Sequence, residues 1–492
     1  MNSKIAKRSA LPGKLKPQLQ AKSQSRRKDA ADKTQVAAAV SRPGRNDLQP
    51  HLEAVWRPIE SLKPAPGRAR KTTPEQLERV VTSIQQFGMV VEILIDKEDR
   101  IVAGHILWEA CRLLGAEKIA CKIVDHLDEN ELKALSLALN RIAETGTWDF
   151  DLLRDSMIEI EAAGIEITST GFTLNEVDQI TLAPAIPDQE GEEVEDDDRS
   201  DEPITSRLGD LYELGDHRLL CGDALDEASY RLVLAMGRAQ CAVSDPPYNC
   251  RIAGFVSGLG QNKHDEFVMA SGEMDGGQFT GFLKTYLQHC ATFTSLGAII
   301  FACMDWRQIE KLLVAGSEVG LTRNNIVVWN KGSGGMGSLY RSAHEFIAVF
   351  CNGSTPATNA VELGRHGRDR TNVFSYPGAN RRGSSASAAL ADHPTPKPVE
   401  MVVDMLLDVT KRGDVVLDPF SGSGTTLIAA EHCRRNACAI ELDPKYVDRS
   451  IRRWEALTGR EAIHTESGMT FSELMAARSG QNDADHANPG DL

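Results

Sequence analysis

Residues 415–435 read VVLDPFSGSGTTLIAAEHCRR. The apolar run Asp414–Leu417 has strand length and stops at Asp418, where a proline follows. The chain then turns through Gly422 and Gly424 and passes Ser423, Thr425 and Thr426 into an Ala-rich helical pattern. Glycines permit a tight turn and let a ligand approach backbone N–H groups. Threonine hydroxyls and a helix N-terminus favour an anionic group. The loop lacks the lysine of a P-loop and the third glycine of a dinucleotide fingerprint. About twenty residues on, an acid commonly receives ribose hydroxyls. Here "ACAIELDPKY" supplies Glu441 at that place. Together the two strand ends predict a site for a nucleoside-bearing cofactor.

Outward from this stretch, further apolar runs have strand character: Ala239–Ser244, Gly297–Cys303, Asn325–Trp329, Glu345–Phe350 and Ala437–Leu442. Helical patterns lie between them. In "PVEMVVDMLLDVTKR" Pro398 suits a first helical position, and Val399, Val402, Val403, Leu406 and Leu407 form a stripe. Strands alternating with helices predict an α/β fold with a parallel, doubly wound sheet. Ligands then bind at the carboxyl ends of its strands.

A second strand end carries chemistry. "AVSDPPYNC", residues 242–250, halts an apolar strand at Asp245, Pro246, Pro247 and Tyr248. A carboxylate and a neighbouring backbone carbonyl accept both hydrogens of an exocyclic amine, which frees its lone pair for attack. A tyrosine can stack on an extruded base. Proline rings hold both in place at little entropic cost.

At these residues the C-terminal part resembles the DNA amino-methyltransferases, specifically the permuted beta group in which the catalytic motif precedes the cofactor motif. "SDPPY" (244–248) resembles the catalytic motif and "LDPFSGSGTT" (417–426) the S-adenosylmethionine loop. "HPTPKP" (393–398) and "GDHRLLCGDAL" (215–225) resemble two further cofactor segments, and "VVWNKGSGG…YRSAHEFIAVF" the middle strands. The resemblance covers about residues 207–460 and implies a Rossmann-like, S-adenosylmethionine-dependent methyltransferase domain. It also implies roles. Asp245 and the Pro246 carbonyl orient the amine, and Tyr248 stacks on the flipped base. Asp418, Phe420, Gly422, Ser423, Gly424, Thr425 and Thr426 line the cofactor, with Lys397 near its methionine carboxylate. Glu441 takes its ribose and Asp223 meets its adenine. No metal is implied. Within the family an Asp at the first catalytic position leans towards adenine N6 and a Ser towards cytosine N4. Asp245 therefore favours site-specific adenine methylation, with cytosine-N4 methylation as the alternative.

The N-terminal part supplies a second resemblance. "TTPEQLERVVTSIQQFGM" predicts a helix with Thr73 as N-cap, Pro74 at its first position and Gly88 beyond its end. "VEILIDKEDRIVAGHILWEACRLLGAEKIACKIV" follows as a hairpin, a helix and a strand. In order, these resemble a smaller α+β ParB/sulfiredoxin-like domain. Ile106 and Leu107 stand where the ParB phosphate motif has arginines, so nucleotide binding and hydrolysis are not expected. A DNA-positioning or partner-docking role is.

Composition frames the rest. Net charge is −15, but residues 1–50 hold twelve Lys/Arg against three Asp, without an aromatic. Between Asp188 and Glu202 ten of fifteen residues are acidic, and prolines 184, 187 and 203 flank them. The expected order is a basic arm (1–50), the ParB-like domain (51–185), an acidic linker (186–206), the methyltransferase domain (207–475) and a tail (476–492). Residues 323–382 carry eight Lys/Arg against three acids, which suits phosphates and guanine edges. Target recognition is expected at about 352–391, with "GLGQNKHDEF" as a second DNA-side loop. Ten scattered cysteines without a C-x-x-C pair fit a reducing cytoplasm. The basic N-terminus has no apolar signal region, and no apolar run is long enough for a bilayer. The expected partner is double-stranded DNA, with no membrane. A homodimer, and a cognate restriction nuclease of a restriction-modification pair, are further partners the resemblance allows. The competing reading is a ParB-like DNA-binding or regulatory protein that uses a methyltransferase fold only as scaffold.

Overall fold

A computed structural model describes residues 50–66, 70–143, 146, 148–182, 204–235, 237–250, 272–332, 339–361, 370–376 and 397–486. Residues 1–49 of the basic arm, most of the acidic linker, "GLGQNKHDEF", much of 352–391, and 393–396 of "HPTPKP" lie outside them. The contacts divide the chain into two compact units.

One unit contains residues 50–72 and 89–143. Its strands are β1 (Ala54–Pro58), β2 (Lys63–Pro64), β3 (Ile93–Ile95), β4 (Arg100–Ala103) and β5 (Lys118–Ile123). They form a mixed sheet in the order β1-β5-β3-β4-β2. Ile93 and Ile95 of β3 and Ile119 and Cys121 of β5 alternate into the core, where Ile101 and Val102 of β4 join them. The helix His105–Leu113 starts after Gly104, whose φ of +95° a side chain would strain, and a Cβ there would meet Ile93 Cγ1 at 3.1 Å.

The other unit contains residues 73–88 and the described residues from 146 on. Its strands are β6 (Leu211–Leu214), β7 (His217–Cys221), β8 (Ala239–Ser244), β9 (Thr294–Met304), β10 (Thr322–Asn330), β11 (His344–Cys351), β12 (Val373–Ser375), β13 (Val415–Asp418), β14 (Asn436–Glu441) and β15 (Ile463–His464). The sheet order is β12-β10-β11-β9-β8-β13-β14-β7-β6-β15. The five central strands, from β9 to β7, are parallel as expected. β11 runs antiparallel to both β9 and β10, and β6 to both β7 and β15. The sheet is therefore mixed rather than wholly parallel: β6 and β7 form a short hairpin at one flank, and at the other β11 runs back between β9 and β10. One face packs on the helices Val399–Val409, Thr425–His432 and Pro444–Thr458. The other packs on Glu227–Leu234, Gly276–Phe293 and Ile309–Val319. Burial on both faces explains why β8, β9 and β14 read as continuous apolar runs.

Three helices upstream of the expected linker also belong to this unit: Pro74–Phe87, Phe150–Ala162 and Leu174–Thr181. Thr73 caps the first, accepting from the Gln76 N–H at 3.2 Å, and Gly88 ends it. Asp178 and Arg435, both fully buried, pair at 2.6 Å, and Arg412 reaches the other Asp178 oxygen at 2.6 Å. Thus part of the segment expected within the N-terminal domain packs with the large sheet.

Candidate active site

Strand order decides which side chains meet. β8 and β13 are neighbours and parallel, so both carboxyl ends open on the same edge of the sheet. β8 delivers Asp245 there, and Pro246 and Pro247 prevent the strand from continuing. Asn249, at φ 54°, turns the chain away. Its amide anchors the following segment by accepting from Gly272 N–H at 3.0 Å and donating to Met274 O at 2.8 Å. β13 delivers Asp418, and the glycine loop follows.

These ends share one cleft of about 510 Å³ of empty space, counting its open mouth. Asp245, Lys397, Asp418, Phe420, Gly422, Ser423, Thr425 and Thr426 all line it. Phe420 packs edge-on against Tyr286, with ring centres 5.1 Å apart. Gly424 instead faces inward: a Cβ there would meet Ser450 Oγ at 2.9 Å, and its φ is +81°. That glycine is needed for the loop to close on the helix Pro444–Thr458, rather than for ligand approach. Glu441 ties the loop to β14, accepting from Gly422 N–H at 2.8 Å and Asp443 N–H at 2.9 Å. Asp223 follows β7 and accepts from Leu225 N–H at 2.8 Å. The adjacent Gly222 N–H donates to the Glu441 carbonyl at 2.9 Å, so Asp223 and Glu441 end neighbouring strands.

Burial pushes the Asp418 carboxyl up to about 7, against the opposing Thr426 hydroxyl and Phe420 N–H. Burial likewise pushes Glu441 up to about 7, against the amides of Asp443 and Gly422. Asp418 lines the cleft with the buried, unpartnered Ser421 hydroxyl and suits a ligand that brings its own N–H and O–H donors, whereas Glu441 stands behind the loop and does not line the cleft.

The catalytic motif sits in a cluster of ions. Lys397 Nζ donates to Asp245 Oδ2 at 2.6 Å, and the Tyr248 hydroxyl donates to Asp245 Oδ1 at 2.7 Å. Lys397 also lies 3.3 Å from Glu345 Oε2, and Glu345 Oε1 accepts from Lys331. Burial would raise the Glu345 carboxyl, but the Lys397 and Lys331 ammonium groups outweigh it and hold it at about 2. Burial would lower Lys397, yet Asp245 and Glu345 hold it above the usual lysine range. Burial also pushes Tyr248 up, so its hydroxyl stays protonated as a donor. Lys397 was expected beside the cofactor's carboxylate; its ammonium instead rests on Asp245.

Residues 239–452 match the family described as DNA methylase, the N6/N4 kind, and that stretch contains the whole cleft. The C-terminal unit carries a DNA methylase domain of the N6/N4 family. Residues 48–140 match the ParB N-terminal domain. The methylase is similar to the type II methyltransferase M.HpaI of Haemophilus parainfluenzae, 23% identical over 261 residues, 49% of this chain and 75% of the relative. Among solved structures it is similar to the PvuII DNA methyltransferase (cytosine-N4-specific), at 15% identity and a TM-score of 0.38, covering 52% of this chain and 89% of that one. The chromosome-partitioning protein ParB from Caulobacter crescentus, in complex with CTP-γ-S, is 21% identical with a TM-score of 0.25, covering 28% of this chain and 82% of that one.

Two methylase residues escaped sequence reasoning, Glu345 and Lys331. The available signal was an acid at the start of the apolar run "EFIAVF", directly opposite Trp329 on β10. A charge on the inward side of a buried strand needs a partner, and Lys331 stands two residues beyond Trp329.

Proposed function

We propose that this methylase transfers a methyl group from S-adenosylmethionine to the exocyclic N6 amine of an adenine turned out of a DNA duplex. One observation carries the reading: Asp245 and the glycine loop end adjacent parallel strands and line a single cleft. The donor set fits the cofactor, whose ammonium would meet Asp418 in the cleft and whose ribose hydroxyls would reach out to Glu441 at the end of β14, with Asp223 beside its adenine. Bound there, the cofactor supplies a methyl group on a sulfonium whose leaving group is a neutral thioether.

The chain supplies alignment. Each Asp245 oxygen keeps a lone pair beyond the one used by Lys397 or Tyr248, so one N–H of the target amine can donate to it. The Pro246 carbonyl accepts the other N–H. With both hydrogens held by Asp245 and the Pro246 carbonyl, the nitrogen lone pair would be released from the ring and free to attack the methyl group, displacing the neutral thioether. One amine proton then leaves through Asp245 to solvent. Holding the amine in line accounts for most of the acceleration such a site gives. The aspartate at the first catalytic position supports adenine over cytosine. The ParB domain serves to position DNA.

The test is to incubate the full chain with duplex DNA and labelled cofactor, digest the DNA and separate its nucleosides. N6-methyladenine is the expected product. N4-methylcytosine would replace the adenine assignment, and an unlabelled digest would remove the reading altogether.

A further inference from the structure

We propose that Glu345 is a positioning residue for Asp245, acting through Lys397 and the Tyr248 hydroxyl; this rests on the methyl-transfer reading above. Glu345 does not line the cleft, whereas Asp245 and Lys397 do. Any influence on the reacting amine must therefore pass through the groups Glu345 holds.

Those groups are the two that hold Asp245. A single oxygen, Glu345 Oε2, lies 3.3 Å from Lys397 Nζ and 3.2 Å from the Tyr248 hydroxyl. The same ammonium and hydroxyl occupy the two oxygens of Asp245. They also contact each other at 3.2 Å. Glu345 and Lys397 are each only 7% exposed, so solvent cannot substitute for a missing partner. Two aromatic rings box the ammonium: it lies 5.5 Å from the centre of Tyr248 and 5.9 Å from that of Trp329. Trp329 is fixed in turn by its indole N–H, which donates to Tyr376 O at 2.9 Å.

Charge gives the same assignment. Asp245, Glu345, Lys331 and Lys397 sum to zero when ionised. Without Glu345 the two lysines face one carboxylate, and Lys397 is held from one side only. Lys397 then bears on Asp245 alone and draws its carboxylate away from the place the three-way contact sets, and the Tyr248 hydroxyl loses its second neighbour. Both changes impair its acceptance of an amine N–H, while the glycine loop is untouched. Turnover should suffer and binding should not.

The experiment is steady-state kinetics of full-length Glu345→Gln, Lys397→Met and the double variant on duplex DNA, with cofactor affinity by calorimetry. We expect Glu345→Gln to lower kcat about 10- to 100-fold, the scale of a misaligned reacting group. KM for DNA and Kd for cofactor should stay within about twofold, since uniform binding is not removed. The double variant should be no worse than the poorer single variant, because both act on one unit. With an active wild type, kcat within about threefold, a loss confined to KM, or multiplicative losses would each overturn the inference alone. An inactive wild type would overturn the functional reading and this one with it. Should Glu345→Gln fail to fold, Lys331→Met carries the test. It strips Glu345 of its outer partner at a half-exposed position, and should lower kcat at least about threefold with KM unmoved. Unchanged turnover there would overturn the inference.

Discussion

Asp245 has two tasks in the free protein, accepting from Lys397 and from Tyr248, and substitution removes both. We expect Asp245→Ala to lower turnover at least about 100-fold with cofactor affinity within about threefold, since an interaction made in the transition state is lost. Asp245→Asn, which keeps the shape, should be comparably slow; measuring both separates lost charge from lost volume. Asp418 and Glu441 give a pH prediction. Each is raised to about 7 by burial, so between the ordinary carboxyl range and that value the folded chain binds more protons than the unfolded one. Their contribution to stability is present in acid and is lost as pH rises through about 7. A ligand that donates to the ionised carboxylates reverses the preference. Cofactor binding should therefore release protons and tighten as pH rises from about 6 to about 8. Calorimetry in buffers of different ionisation enthalpy reads both; affinity that weakens as pH rises would show that these acids bind as neutral donors, and pH-independent affinity that binding leaves their ionisation unchanged.

Among elements, the parts legible in sequence were those with local causes. β8 ends at Ser244, where the sequence says, and β13 at Asp418, one residue past the expected run, because Pro246 and Pro419 stop the two strands. The helix Pro74–Phe87 starts at its expected cap for an equally local reason. Pairing across long stretches of chain was not legible. The Glu345–Lys397 contact depends on β11 lying beside β9, which no periodicity announces. The Asp178–Arg435 pair spans 257 positions and joins the helix Leu174–Thr181 to the residue before β14. Arg435 also donates to Thr410 Oγ1 at 3.0 Å and Thr410 O at 2.9 Å, so its charge is fully committed. Removing one member of such a pair strands the other. Asp178→Ala should cost about 3–5 kcal/mol in chemical denaturation of the full chain. A change under about 1 kcal/mol would mean that Arg412 and Arg435 find water or another acid instead. The expected boundary at residue 185 would cut this pair, so a methylase fragment should retain Leu174–Thr181.

At the scale of the whole molecule, the chain holds two units with separate sheets. In the ParB unit, His105 opens its helix where a phosphate motif would lie, and its Nε2 accepts from the Ala65 N–H at 3.4 Å. Ile106 and Leu107 add no charge beside it. A triphosphate needs cations and free amides together. We therefore expect CTP to bind the full chain more weakly than micromolar in calorimetry, and saturating CTP to leave the methylation rate unchanged. Micromolar affinity would point to cations from other segments. The net charge of −15 does not prevent DNA binding, because phosphates respond to local cations within a Debye length rather than to the sum.

The interleaved strand order also shapes how the enzyme is made. β13 and β14 lie between β8 and β7 in the sheet, yet they are translated after both. Until they leave the ribosome, β7 and β8 each present an open inner edge, and the cleft has only one wall. At about 5–20 residues per second, the roughly 170 residues from β8 to β13 occupy on the order of ten seconds. A nascent chain therefore has no working cofactor site during that interval, whatever DNA is nearby. Ribosome-bound chains stalled before β13 should bind no S-adenosylmethionine, and chains stalled well after β14 has emerged should bind it.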